Sequence, residues 1–138
     1  MRIISKSKYN AHTEPIFKEF GILKFEDLIK FESAKFYFKY CNSELPSYFS
    51  SFNLIPQGAI HHYNTRYNSN LRTIRTRTVF ARNCLRHFLP DLINNLPINI
   101  IEKVNTHSFT GFSFYVKNVF ISSYQTECTL MNCYVCLN

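Results

Sequence analysis

The residues best suited to chemistry in this chain are six arginines within the stretch 61–87. They are Arg66, Arg72, Arg75, Arg77, Arg82 and Arg86. A guanidinium group is permanently charged and presents a planar fork of N–H donors that matches a phosphate group. No acidic residue lies between Glu44 and Asp91, so no neighbour in sequence neutralises this charge. The pattern predicts a surface that binds a polyanion.

Aromatic side chains are interleaved with these arginines. His61, Tyr63 and Tyr67 lie at the start of the stretch, and such rings can stack on nucleic-acid bases. We therefore take the six arginines, His61 and Tyr63 as the candidate residues for binding RNA or DNA. The alternative interpretation is a solvated basic loop without a partner, because charged clusters are common on protein surfaces.

The C-terminal cysteines have a spacing that suits a metal. Cys128, Cys133 and Cys136 follow the pattern Cys-x4-Cys-x2-Cys, and thiolates two residues apart can bind one zinc ion from a tight turn. A fourth ligand would come from elsewhere, and three residues are candidates: Cys84, His87 and His107. Two interpretations stay open, a zinc site and reduced cysteines in a tail. We expect no cofactor other than this candidate zinc.

The sequence contains no recognisable set of catalytic residues. The pair His61-His62 has no nearby carboxylate or cysteine that would complete an acid–base or nucleophilic pair. The nine acidic residues are scattered, and only Glu26 and Asp27 are adjacent. The three glycines stand far apart, which excludes a glycine-rich phosphate loop. We therefore expect a protein without enzymatic activity.

Composition limits the class of protein. A length of 138 residues suits one domain. The 46% of hydrophobic residues predict a folded chain, and the 17% of aromatic residues predict a core built from rings. A net charge of +7 favours acidic partners.

Charged residues interrupt every apolar run before the roughly 20 residues that a membrane helix needs, and the start lacks a signal-peptide pattern. We expect a cytoplasmic or nuclear location, no secretion and no membrane partner.

Hydrophobic periodicity predicts a mainly α-helical fold, a small irregular helical domain with a long extended basic arm between a central helix and C-terminal helices. Residues 1–12 are expected to be a flexible lead-in, 13–124 one helical domain that contains the basic arm 60–88, and 125–138 a cysteine-rich tail. A short helix over 14–20 should end at Gly21 in a left-handed conformation. The central helix spans 24–40, with apolar residues on two sides.

More detailed expectations concern the faces and ends of these elements. The polar strip of the central helix comprises Glu26, Lys30, Ser33 and Tyr37. Residues 47–60 should form an extended loop. A helix over 79–89 should turn four residues inward, namely Ala81, Cys84, Leu85 and Phe88, and Pro90 should begin a new element. The last helix, from Phe109, should bury Phe112, Val116, Val119 and Phe120.

The order of these segments resembles the C-terminal region of the reverse transcriptases of non-LTR (LINE-type) retrotransposons of animals. The resemblance covers residues 20–138. Its most specific parts are the helix followed by Leu45-Pro46 and the block IHHYNTRYNSNL, in which His61 is followed by Tyr63, Asn64, Thr65 and Arg66. The segments RTRTVFARNCLRHFLPDLINNLP and THSFTGFSFYVKNVFISSY, and the terminal CTLMNCYVC, follow in the same order.

The resemblance implies a region downstream of the polymerase that helps to hold template RNA or target DNA, with the remainder of a reverse transcriptase as its partner. It implies no catalytic residue here, because the polymerase centre of that family needs paired aspartates and this chain has no Asp-Asp pair. Some relatives end in a Cys/His knuckle, whereas no histidine follows His107 here. We therefore expect a non-catalytic fragment that retains nucleic-acid binding. The alternative is a structural or protein-interaction remnant without a nucleic-acid role.

Overall fold

The computed structural model describes residues 2–8, 11–60, 63, 66 and 68–126. These residues form six α-helices and three short 3-10 helices and include no β-strand, which confirms the predicted mainly α fold. The α-helices are α1 (Thr13–Glu19), α2 (Phe25–Cys41), α3 (Val79–Asn83), α4 (Leu85–Asn94), α5 (Ile98–Glu102) and α6 (Phe109–Ser122). The 3-10 helices span Ser47–Phe52, Gln57–Ala59 and Lys103–Asn105.

The central helix α2 packs against both α6 and α4, as expected of a helix with two apolar sides. Its Ala34 and Phe38 join α6 in the main core, where the rings of Phe38 and Phe112 lie 4.8 Å apart. The buried members of this core are Ala34, Phe38, Leu96, Ile100, Val104, Phe112, Val116 and Phe120. The predicted face of α6 is confirmed for Phe112, Val116 and Phe120, and Val119 is partly buried.

The predicted polar strip of α2 is wrong at two of its four positions. Ser33 is buried, and its Oγ donates to the carbonyl of Ile29 over 2.8 Å, so the hydroxyl needs no solvent. Tyr37 packs against both hydrophobic cores, and this burial raises the pKa of its hydroxyl. Conversely, Phe25 is 75% exposed in the first turn. Because α2 packs on two sides, part of the polar strip between its apolar sides is also buried.

A second, smaller core lies on the other side of α2. It consists of Leu54, Leu71, Leu89 and Ile93, with Phe36, Tyr37, Tyr40 and Phe52 packed against it. Residues before the basic arm, within the arm and after it thus meet in one cluster. This cluster connects the arm to the helical body.

The segment 47–60 is not the predicted extended loop, because two of its parts are 3-10 helices. Pro46 and Pro56 immediately precede these turns, and their fixed φ angles suit a turn start. Ser50 Oγ donates to the carbonyl of Ser47 over 2.6 Å, which supports the first turn. Phe49 then packs edge-on against Phe36 of α2, with ring centroids 5.3 Å apart. Local hydrogen bonds and ring packing therefore give this segment helical turns where an extended loop was predicted.

The predicted helix over 79–89 is divided in two. Cys84 has an extended backbone, with ψ of 137°, and separates α3 from α4. Pro90 does not begin a new element but lies inside α4, where it is buried with Leu89 and Ile93. Because α4 begins after the break at Cys84, its buried face differs from the predicted one. Leu89 is fully buried, whereas Leu85, predicted to face inward, is 41% exposed. Burial of these apolar side chains offsets the backbone hydrogen bond that the proline cannot make.

The ends of α1, α2 and α6 meet at Tyr124. Its hydroxyl donates to Asp27 Oδ2 over 2.8 Å and accepts from the backbone N–H of Lys24 over 2.9 Å. Lys18 Nζ donates to the Tyr124 carbonyl over 2.8 Å, and Lys24 also forms an ion pair with Glu14. Gly21, between α1 and α2, has the predicted left-handed conformation, with φ of 60°. This turn and the Tyr124 contacts close the helical body.

Candidate nucleic-acid interface

The basic arm is anchored where residues 68–72 run between two parts of the helical body. On one side, backbone hydrogen bonds connect it to the segment before the arm: Gln57 N to Asn70 O at 2.8 Å and Arg72 N to Ile55 O at 2.9 Å. Pro56 and Leu71 form an isolated antiparallel bridge there. This short ladder fixes the position at which the arginine-rich segment leaves the body.

On the other side, the side chain of Asn94 in α4 binds the same residue of the arm. The Leu71 N–H donates to Asn94 Oδ1 over 2.8 Å, and Asn94 Nδ2 donates to the Leu71 carbonyl over 2.9 Å. The Leu71 side chain is only 3% exposed and lies in the second core. Arg72, the next residue, is exposed. The anchor therefore buries Leu71 and directs the following basic residues away from the core.

Beyond the anchor, residues 72–78 contain no regular secondary structure, as expected for an irregular extended arm. The extended part of the arm ends at Thr78, whose Oγ1 accepts a hydrogen bond from the Ala81 N–H over 3.2 Å and so caps α3. Threonine is a favourable residue at this cap position. Arg72, Arg75 and Arg77 thus lie on the extended part of the arm, and Arg82 and Arg86 lie on the helices that follow.

All six arginines of the candidate set are exposed. Within the part of the chain that the structure describes, none of their guanidinium groups takes part in an ion pair or a side-chain hydrogen bond. The three ion pairs in the described residues all involve lysines of the helical body, namely Lys24–Glu14, Lys30–Asp27 and Lys35–Glu32. The guanidinium donors of the arm are therefore available to an external anion.

The net charge of the protein is concentrated in this arm. Residues 45–90 contain six arginines, no lysine and no acidic residue, which amounts to a charge of +6. The remaining ten of the 16 basic side chains are opposed by nine acidic ones, which leaves +1 for the rest of the chain. A polyanion is therefore attracted to the arm and not to the molecule as a whole.

Two of the arginines share a groove. Arg75 and Arg82 line a depression of about 390 Å³ together with Thr73, Ile74, Thr76, His87 and Asp91. His87 Nδ1 is buried and has no hydrogen-bond partner among the described residues. Arginine and threonine residues that line one groove suit phosphate, whose oxygens accept hydrogen bonds from guanidinium and hydroxyl donors. Asp91 is the acidic residue that limits the net charge there.

The structure describes only some of the remaining predicted site residues. Tyr63 is 80% exposed and its ring is accessible to a ligand. His61 lies outside the described residues, as do Cys128, Cys133 and Cys136, so the zinc hypothesis concerns a part of the chain without a structural description. Of the candidate fourth ligands, Cys84 donates its thiol to the carbonyl of Phe80 over 3.5 Å. No group of three or more potential metal ligands occurs within the described ranges.

Sequence reasoning missed one exposed ring in this region. Phe80 is 82% exposed, and its neighbour Val79 is 72% exposed. One signal was present in the sequence, because the inward set chosen for the helix over 79–89 leaves Phe80 on the outside. A phenylalanine between Arg77 and Arg82 adds an exposed aromatic ring to the basic segment.

Comparison with models of known protein families, with curated protein sequences and with solved structures returned no match for this chain. Among the described residues, no helix has both the length and the apolar character needed to cross a lipid bilayer.

Proposed function

We propose that this protein binds nucleic acid through its basic arm and has no catalytic activity of its own. The observation that carries this proposal is the set of six exposed arginines without an internal partner among the described residues. Arginine binds phosphate in a bidentate manner. The anchor at Leu71 positions the arm, and phosphate contacts of this kind give affinity that depends little on base sequence.

The salt dependence of binding tests the proposal. Each phosphate that an arginine neutralises releases a counterion, so the logarithm of the association constant falls linearly with the logarithm of salt concentration, with a slope of about −0.9 per contact on duplex DNA. If all six arginines contribute, the slope is about −5 on duplex DNA. Fluorescence anisotropy with labelled oligonucleotides measures it. Binding that is insensitive to salt, or absent at low salt, contradicts the proposal.

We also propose that the protein derives from the C-terminal region of a non-LTR retrotransposon reverse transcriptase, whose remainder would be its partner. The support is the order of segments from Phe20 onward and the block His61 to Arg66. The genomic sequence immediately upstream of the reading frame tests this origin. An adjacent polymerase-coding region, intact or decayed, with codons for paired aspartates is the expected result, and unrelated sequence there counts against it.

A second candidate function is a structural or protein-interaction role without nucleic acid. It is favoured by an apolar groove of about 770 Å³ between α2, α4 and the start of α6. Its apolar lining residues are Leu28, Ile29, Phe36, Leu45, Leu85, Leu89 and Phe109. Sedimentation equilibrium separates the two functions. Self-association that persists at high salt, without binding to oligonucleotides at low salt, favours the interaction role, because burial of apolar surface is not screened by salt.

A further inference from the structure

Phe80 is a large apolar ring that the fold leaves in solvent. It is the second residue of α3 and is 82% exposed. The ring pairs among the described residues lie in the helical body and around the 3-10 helix 47–52, and none includes Phe80. Its ring faces are therefore available to a ligand.

The surroundings of Phe80 identify the kind of ligand. Arg77 lies three residues before it and Arg82 two residues after it, and both are exposed. Ile74, 46% exposed, lies in the groove that Arg75 and Arg82 line. Exposed apolar side chains that alternate in sequence with arginines unpaired among the described residues suit a ligand with both flat apolar faces and negative charge. Unpaired nucleotides combine these two properties, because each has a base face and a phosphate group.

We infer that Phe80 is a stacking platform for an unpaired base, so that the arm binds single-stranded nucleic acid in preference to duplex. This inference rests on the proposed nucleic-acid-binding function and specifies its substrate class. In a duplex, neighbouring bases cover each base face, and Phe80 could stack only after unstacking them. A single strand presents its base faces at no such cost, while its phosphates bind the flanking arginines. Every base has a π-face, so the preference extends to both RNA and DNA single strands.

Tryptophan fluorescence provides a direct test, because the chain contains no tryptophan. The variant Phe80→Trp places a single tryptophan at the proposed platform and keeps an aromatic ring there. Phe25→Trp is a matched control, since Phe25 is also in the first turn of a helix and 75% exposed, but Glu26 and Asp27 follow it. The probes are oligo(dT) and oligo(U) of about 15 nucleotides, within the range of known single-strand sites, and a duplex of the same length.

The expected result is quenching of Phe80→Trp emission by both single strands, with little quenching by bound duplex and none in Phe25→Trp. In parallel, Phe80→Leu should weaken single-strand binding by roughly 5- to 150-fold, the range for removal of one aromatic platform. Duplex binding should change little. Because Phe80 is exposed, this substitution removes no core contact, and circular dichroism should confirm unchanged folding.

The outcomes distinguish this inference from the function on which it rests. One outcome is salt-dependent binding without a change in emission at position 80, together with an equal loss of affinity for single strands and duplex in Phe80→Leu. In that case the stacking inference is wrong and the proposed function stands. If no oligonucleotide binds at low salt, both are wrong. If oligo(U) quenches the emission and oligo(dT) does not, stacking is supported but its extension to DNA single strands is wrong.

Discussion

Asn94 and Leu71 are joined by two reciprocal hydrogen bonds across 23 residues of sequence, the Leu71 N–H to Asn94 Oδ1 at 2.8 Å and Asn94 Nδ2 to the Leu71 carbonyl at 2.9 Å. A carboxamide presents one acceptor and a pair of donors, so it can satisfy both backbone groups of one residue, as a neighbouring strand would. One side chain on α4 therefore holds the start of the basic arm against the second core.

The first prediction concerns this anchor. Replacing Asn94 with Ala leaves both backbone groups of the buried Leu71 without their partner, and we expect a loss of about 1–3 kcal/mol in the free energy of unfolding. Urea denaturation measures it. Asn94→Asp should also destabilise the protein, because a carboxylate accepts from the N–H but cannot donate to the carbonyl. The control Asn118→Ala, at an exposed position of α6, should change stability by less than about 0.5 kcal/mol. Equal effects of the two alanine substitutions would contradict the anchoring role.

The second prediction compares two phenylalanines of one helix. Phe112 is fully buried against Phe38, whereas Phe114 is 69% exposed. We expect Phe112→Ala to cost about 3–5 kcal/mol, the usual range for a phenylalanine removed from a core. Phe114→Ala should cost far less, since it creates no cavity. Thermal and urea unfolding of both variants measure the difference. Similar losses would mean that α6 does not pack on α2 through the face described.

The third prediction concerns the groove in the arm. The double variant Arg75→Gln, Arg82→Gln removes two guanidinium groups that share it. We expect weaker binding of nucleic acid and a salt slope that is shallower by about 2. The control Lys30→Gln, Lys35→Gln removes the same charge from α2, where both lysines are paired with acidic residues. Anisotropy titrations at several salt concentrations should show a much smaller change in the control. An equal loss in both variants would indicate that net charge alone determines binding.

The fourth prediction concerns stability at high pH. Burial raises the pKa of Tyr124 from 10.0 to about 12, and its hydrogen bond to Asp27 also favours the protonated hydroxyl. Because the folded pKa is above the unfolded one, the stabilisation is fully present below pH 10 and is lost as the pH rises to about 12. Denaturation measured across this pH range should show that the free energy of unfolding falls less steeply with pH in Tyr124→Phe than in the unsubstituted protein. Identical slopes would show that the hydroxyl is not held in this way.

The fifth prediction concerns acid. The hydrogen bond from the Lys24 ammonium group lowers the pKa of Glu14, and the backbone N–H of Gln125 adds to the effect over 3.2 Å. Because the folded pKa is below the unfolded one, this stabilisation is present above the usual value of 4.5 and is lost as the pH falls through the folded pKa. Glu14→Gln should therefore reduce the acid sensitivity of unfolding. Glu19→Gln, at an exposed position of the same helix, serves as the control and should leave that sensitivity unchanged.

The helices that could be predicted from sequence are those whose signals are local. The central helix and α6 have helical spacing of apolar residues over several turns, and Phe112, Val116 and Phe120 are buried as that spacing indicates. Local signals failed at Cys84 and Pro90, where the proline suggested a boundary. Instead, α4 continues through the buried Pro90, and the adjacent Leu89 lies in the second core. Such contacts involve residues distant in sequence, which periodicity does not report.

The sequence by itself determined where the charge lies, because the order of residues places six arginines and no acidic residue in 45–90. It also determined that the fold is helical, since hydrophobic periodicity is a local property of the chain. Only the tertiary structure decided how the basic arm is anchored and which apolar side chains near it are exposed. Asn94 holds Leu71 in place, and Phe80 of α3 is left 82% exposed. Exposure depends on what packs against a residue, and the partners here come from separate segments of the chain.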